Sequence, residues 1–300
     1  MTKLFKLILS EPETVLFPLI HNLEKIMKKT YIRWILAIVI TLAAAVYQRM
    51  TGPTYPLRGK AIIDGQDISY RLSRSHGGEG DQPISIAFTD TSYLAQLVYK
   101  RYKVDENWTP VPMKIEDGKF TGYLPHQPAA GKLEYFIKLD KSGKNILIPA
   151  DRTVVTRFKG HVPELALLPH ILLMFIAMLL SSMTALEALV RGDRVYLYTI
   201  ITTISLFIGG MILGPVVQKF AFGEYWTGVP FGYDLTDNKT LIAMIGWLIP
   251  FVQIIRNRDS NAARWWIVVA AVILLLVFSI PHSVMGSEFD YEKMQIIQGN

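Results

Sequence analysis

Hydrophobic and polar positions change their spacing twice along this chain. From Tyr31 to about Gln48 (YIRWILAIVITLAAAVYQ) the residues are almost continuously apolar. Between 57 and 158 apolar and polar positions alternate, with turn signals about every ten residues. From 164 to 281 the long apolar runs return. Continuous runs suit helices that cross about 30 Å of hydrocarbon at about 1.5 Å per residue, whereas strict alternation suits strands with one buried face. Five runs qualify as spans: Tyr31–Gln48, Leu165–Val190, Val195–Val217, Thr240–Ile255 and Trp265–Ile280. The last two are short. The expected fold class is an α-helical membrane protein with about five transmembrane helices and an inserted all-β sandwich domain.

Within the alternating region, Lys60-Ala61-Ile62-Ile63, Asp64-Gly65 and Ile68-Ser69-Tyr70-Arg71-Leu72 read as a hairpin. His76-Gly77-Gly78-Glu79-Gly80-Asp81 reads as a loop. Strands are expected at about 83–88, 95–103, 108–115, 119–124, 132–139 and 144–157, the last with a break at Pro149. The resulting organisation has five parts. Residues 1–30 form a cytoplasmic amphipathic segment, 31–48 a first transmembrane helix, and 50–160 an exported β-sandwich. Residues 164–281 form a four-helix transmembrane domain with an outer loop at 218–239, and 282–300 a periplasmic tail. Ala43-Ala44-Ala45 fits a signal cleavage site, but Tyr47, Gln48 and Arg49 make an interfacial end that favours an uncleaved signal anchor.

Charge fixes the expected orientation. The net charge is +6, yet the basic residues gather at the ends of apolar runs, which points to topology and away from nucleic acid. Lys25, Lys28, Lys29 and Arg33 precede or open the first run. Arg191 and Arg194 separate the second from the third, and Arg256, Arg258 and Arg264 separate the fourth from the fifth. The alternate connections carry Glu224, Asp234 and Asp237, then Glu288, Asp290 and Glu292. The N-terminus is therefore expected inside, with the C-terminus and 50–160 outside. The chain has no cysteine, which excludes disulfides, thiolate metal sites, iron–sulfur clusters and covalently attached c-type haem within it.

One stretch of the β region, Trp108, Pro112-Met113, Gly118, Phe120, Leu124-Pro125, Gly131, Glu134-Tyr135-Phe136, Asp140 and Gly143, resembles the immunoglobulin-like or fibronectin type III-like modules of bacterial exported proteins. The resemblance covers about a quarter of the chain. It implies a fold and a docking role, and no catalytic residues. The wider chain, with Gly223 to Thr240, resembles a group of multi-pass bacterial inner-membrane proteins, which implies the bacterial plasma membrane as location.

Candidate chemistry lies where polar residues meet the apolar runs. His170 sits about one turn into the second run, and His282 directly follows the fifth. Such a pair could hold one b-type haem, next to a quinone site near the outer face, or another metal. The commoner role for each is a hydrogen bond to a neighbouring carbonyl or headgroup. The loop FGEYWTGVPFGYDLTDNKT (222–240) places Glu224, Trp226, Asp234, Asp237 and Lys239 together as candidates for a ligand pocket. Interfacial aromatics and turn glycines account for most of that loop, with Thr236 or Asp237 capping the following helix. Gly210 and Gly214 share a helix face suited to close packing or to a helix–helix oligomer contact. Glu187 is expected to pair locally with Arg191 or Arg194.

Two function classes follow. The first is a non-enzymatic anchor, assembly or accessory subunit whose β-sandwich docks a protein partner. The second is an electron-transfer subunit with haem or quinone at the outer face, which oxidised and reduced absorbance spectra would separate from the first. Transport fits less well, because no internal repeat or paired broken helices are evident. No phosphate-loop, dinucleotide or nucleophile motif occurs in the sequence. The charge pattern predicts external activity for topology reporters fused after Lys159 and after Asn300; an internal signal at either position would overturn the five-span arrangement.

Overall fold

The computed structural model describes residues 29–281 and 286–297. Among these, five helices are long and apolar enough to cross a membrane: α1 (Thr30–Thr51), α2 (Glu164–Leu189), α3 (Val195–Phe222), α4 (Leu235–Arg256) and α5 (Asn261–Ser279). Expected and observed helices agree in number and order. The amphipathic reading of the first residues and the position of His282 lie outside the described residues. The chain divides into two compact units.

The helical unit takes in the described parts of Met1–Tyr47, Pro169–Ile212 and Lys239–Ile280. Its main core joins Ala177, Leu206, Ala243, Trp247, Ile267, Ala270 and Leu274 from α2 to α5. Small residues dominate α1's contact, where Ala37 packs with Met183 and Tyr198. Trp34 meets the Tyr198 ring edge-on at 6.0 Å. The middle of α3 widens into a π-helical segment, Phe207–Leu213, around Gly209 and Gly210. A Cβ on Gly210 would stand 2.9 Å from the Thr240 methyl, so this glycine serves packing within the chain. Pro215 does not end the helix. It sits in the first turn of the following α-helical segment, Gly214–Phe222, where its missing N–H is harmless.

Glu187 is a buried acid of the helical unit. Its carboxylate lies 2.9 Å from Arg33 Nε, and both side chains are almost fully buried. Glu187 Oε1 also accepts the Arg194 backbone N–H at 3.3 Å. The expected local partners were Arg191 and Arg194, but the charged partner is Arg33 of α1, 154 positions away in sequence (187 − 33). Charge spacing within one turn could not reveal that. The α2–α3 turn closes over this pair. The Gly192 N–H donates to the Glu187 carbonyl at 2.9 Å. A Cβ on Gly192 would fall 2.2 Å from Glu187 Oε1, so the turn passes only because the residue is glycine. Arg264 of α5 donates to the Gly192 carbonyl at 3.3 Å.

The second unit takes in Gln48–Leu168, Leu213–Asn238 and the described part of Pro281–Asn300. It opens with the expected hairpin, β1 (Leu57–Ile63) and β2 (Gln66–Leu72). Then follow β3 (Ser75–Gly77), β4 (Gln82–Ile86), β5 (Leu94–Arg101), β6 (Thr109–Pro112), β7 (Lys114–Glu116), β8 (Lys119–Leu124), β9 (Lys132–Lys141), β10 (Lys144–Ile148) and β11 (Val154–Lys159). One sheet runs β3-β11-β9-β5-β6, with β10 also paired to β9; the other runs β4-β8-β7. All neighbours are antiparallel except β3 and β11. Alternation does the sorting: on β9, Leu133, Tyr135, Ile137 and Leu139 are buried, while Glu134, Phe136, Lys138 and Asp140 face out. The inward set meets Ile84, Ile86, Phe120 and Leu124 of the other sheet in one core, with Ile63 and Leu72 of the hairpin.

Two sequence expectations change here. The single strand expected at 108–115 is two strands in different sheets: β6 pairs with β5, β7 with β8, and the chain crosses at Met113, which is buried in the core. The loop expected from His76 begins as a short strand, β3, because Ser75–Gly77 lies beside Arg157–Lys159. The break at Pro149 is as expected. β10 and β11 pair with the same strand, β9, on either side of residues 149–153.

Removing one member of the buried Arg33–Glu187 pair leaves the other's charge without its counter-ion. Glu187→Ala should destabilise the helical unit by about 3–5 kcal/mol, whereas Arg33→Met with Glu187→Met should recover most of that loss. Thermal unfolding in detergent reads both; equal losses for the single and double variants would deny the pair its role.

Candidate functional site

The loop between α3 and α4 is built from its own hydrogen bonds. Helix α3 stops at Gly223, which adopts a left-handed conformation (φ 88°) and donates its N–H to the Lys219 carbonyl. Lys219 Nζ caps the same end by donating to the Gly223 carbonyl at 2.5 Å. Trp226 donates its indole N–H to the Val229 carbonyl at 3.1 Å, so its polar atom is used within the loop. The Val229–Pro230 peptide is cis.

Asp237 and Asp234 organise the rest. Asp237 Oδ2 accepts the Thr227 backbone N–H at 2.6 Å, the Thr227 hydroxyl at 3.2 Å and the Gln218 amide at 3.0 Å. Gln218 also donates to Thr227 Oγ1 at 2.9 Å. Gly228 lies against this group, and a Cβ there would stand 2.6 Å from the Asp237 Cβ. Asp234, rather than Thr236 or Asp237, caps α4: its Oδ1 accepts the Thr236 N–H at 2.8 Å. Its Oδ2 accepts from the Ser287 backbone N–H at 3.2 Å and from the Ser287 hydroxyl at 3.4 Å. Asn238 completes the loop by accepting the Val229 N–H at 2.7 Å.

The same residues tie loop, tail and β-domain into one unit. Arg157 of β11 donates to the Ser287 carbonyl, and its guanidinium lies 3.9 Å from the centre of the Phe222 ring. Burial pushes the Arg157 guanidinium down to about 10, against the opposing pull of the Asp234 and Glu288 carboxylates. The group remains charged at neutral pH. The tail hairpin, β12 (Glu288–Asp290) and β13 (Gln295–Ile297), docks on the start of β9. Glu288 pairs with Lys132 and, at 3.1 Å, with Lys103. Burial raises the Glu288 carboxyl, but the two lysines more than offset it and hold it below the ordinary value. Tyr291 Oη accepts the Lys132 N–H at 3.1 Å and donates to Gln127 Oε1 at 3.0 Å.

The structure therefore brings together Asp234 and Asp237 from the expected set, and adds Gln218, Thr227, Ser287 and Arg157. Glu224 is exposed and stands apart. Lys239 belongs to the helical unit, where its ammonium donates to the Ile280 carbonyl at 2.6 Å. His170 also belongs there. Its Nδ1 lies 2.9 Å from the Gly209 carbonyl, which can only accept, so Nδ1 is the donor. This is the carbonyl contact expected as the commoner role, taken up where α3 widens. Among the described residues, no group of three or more His, Asp or Glu side chains is placed to hold a metal ion.

One convergence was not legible in sequence. His76 and His126, 50 positions apart, both direct a ring nitrogen at the Gly80 carbonyl, at 3.2 and 3.1 Å. Both rings stand edge-on to Phe158, at 5.5 and 5.9 Å. The parallel pairing of β3 with β11 makes this possible, and no local spacing announces it.

No protein-family model, no curated protein and no solved structure matches this chain. Both oxygens of Asp234 and Oδ2 of Asp237 accept hydrogen bonds from the chain, which gives the two carboxylates an architectural role. Asp237→Ala removes three such bonds and should destabilise the second unit by about 2–3 kcal/mol. A thermal transition of that unit unchanged within error would return Asp237 to the list of free ligand groups.

Proposed function

We propose that this protein is a multi-pass bacterial inner-membrane accessory, anchor or assembly subunit whose immunoglobulin-like β-sandwich projects outside and docks a protein partner. Two antiparallel sheets around one core, with the first short strand running parallel to the last, support the sandwich reading. The α1 contact made by Ala37 with Met183 and Tyr198 favours an uncleaved anchor.

The observation that carries the docking role is an aromatic stripe on the outer face of the larger sheet. Val98 stands opposite Pro110 on one side and Phe136 on the other. Trp108 packs edge-on against Phe136 at 5.1 Å, and Lys100 Nζ lies 4.9 Å from the Trp108 ring centre. Trp108 is still 37% exposed. Tryptophan in a preformed setting beside a cation is the residue type that most often anchors an interface. The sheet edges suit docking less. β6 carries Pro110 and Pro112, and β3 has three residues, so neither offers a long row of free backbone groups.

Leu147 stands opposite Lys138 on the same outer face. A photo-crosslinking residue at 147 in native membranes should give one discrete protein adduct, and the same residue at Asp117, in a turn, should not. Trp108→Ala should weaken the adduct about tenfold or more. Equal labelling at both positions, or indifference to the Trp108 change, would count against the docking role.

A further inference from the structure

The tail hairpin of β12 and β13 has a buried root and a shallow body. Ser287 is the root: it bonds to Asp234, Arg157 donates to its carbonyl, and it is buried. From Glu288 to Ile297 every residue is half-buried or exposed, and none belongs to the hydrophobic core of the sandwich. Its apolar contact with the unit includes Ile296, whose Cδ1 would stand 2.7 Å from a Cβ on Gly223. Two strands joined by a turn are marginal on their own, so the body depends on what fastens it.

The fastening is mainly polar, and its charge comes from Glu288. This carboxylate meets Lys132 of β9 and, at 3.1 Å, Lys103 just after β5. Both ammoniums lie over the Tyr102 ring, at 5.5 and 5.6 Å from its centre. Among the described residues, neither lysine has another carboxylate within ion-pair distance. Only 14% of the Glu288 side chain and 19% of that of Lys132 are exposed, so their charges are screened less than a surface pair. A third cation, Arg157 of β11, is also drawn to the Glu288 carboxylate. The β8–β9 connection meets the hairpin through Ala130, whose carbonyl accepts the Phe289 N–H at 3.2 Å, and through Gln127, which accepts from Tyr291. Neither of those groups titrates. The Arg101 guanidinium lies 5.4 Å from the centre of the Tyr291 ring. Within the hairpin, Asp290 is occupied by the N–H groups of Glu292 and Lys293.

We propose that the tail hairpin is an acid-released strap: protonation of Glu288 frees residues 288–297 from the start of β9, while Ser287 stays as the pivot and the sandwich stays folded. A neutral carboxyl at 288 leaves the largely buried Lys132 without its counter-ion, which makes the docked state costly. The two lysines hold the Glu288 carboxyl below its ordinary value. The stabilisation from this group is therefore complete above the ordinary carboxylate range and is lost as pH falls through the lowered value. The sandwich core has no such dependence, because its contacts are apolar. Release opens the Ala130 carbonyl and the Lys132 N–H, a surface separate from the Trp108 stripe on which the docking reading rests.

The chain has no cysteine, so Met294→Cys, at an exposed position of the hairpin, places a single fluorophore on the full-length protein in detergent. Its anisotropy should fall as the pH drops below the ordinary carboxylate range, with the thermal transition of the protein still cooperative. Glu288→Gln should give the low anisotropy already at pH 7 and abolish the acid step, and Glu288→Asp should restore part of both. Protection of the Phe289 N–H from hydrogen exchange at pH 7 should fall about tenfold in Glu288→Gln. The same fluorophore at Lys144→Cys, in an exposed turn, should respond to neither change. An anisotropy of Glu288→Gln equal to that of the parent at pH 7 would overturn the strap, as would an acid step of undiminished size in that variant. A gain in mobility that appears only when the protein no longer unfolds cooperatively would overturn it too, since the tail would then be leaving with the rest of the fold.

Discussion

A polar group withdrawn from water must find its partner inside the chain, and this constraint organises both units. In the helical unit it joins Arg33 to Glu187 and makes His170 donate a hydrogen bond to the Gly209 carbonyl. In the second unit it supplies donors to Asp234 and Asp237 and sets Arg157 against Ser287 and Phe222. All of these contacts except the one between Thr227 and Asp237 join segments far apart in sequence. Apolar packing supplies most of the stabilisation, but it is tolerant of sliding. The buried polar contacts have one geometry each, and they fix which helix, loop and strand belong together.

The same constraint divides architectural residues from those still open to a partner. The loop acids looked like pocket chemistry because carboxylates beside aromatics often bind ligands. Bonded to donors of the chain, they act as the frame of a loop that carries the tail and the end of α3. What remains unsatisfied lies elsewhere in the second unit. Trp108 keeps a third of its surface in solvent, beside Phe136 and the Lys100 ammonium.

Particular residues show why some expectations needed correction. The strand expected at 108–115 divides at Met113, since alternation reports which side a residue faces and not which sheet its backbone joins. Asp234 caps α4 in place of Thr236 or Asp237. All three are acceptable capping types, and only the backbone path decides which side chain reaches the free N–H groups. Glu187 found Arg33 and not its neighbours Arg191 and Arg194, because a buried charge pairs with the group that packing presents to it. His76 and His126 meet at Gly80 through strand pairing that is parallel and distant in sequence.

The sequence by itself determined the five apolar helices, the alternating strands between them, the hairpin at Asp64-Gly65 and the break at Pro149. These depend on spacing within one element, where the periods of helix and strand act on neighbouring residues. Tertiary structure alone decided that residues 222–238 and the 286–297 segment belong with the β-domain, that Gly210 packs against Thr240, and that His76 and His126 meet at one carbonyl. Those outcomes depend on contacts between residues tens to hundreds of positions apart. Such contacts form only when whole elements pack, and no local period encodes them.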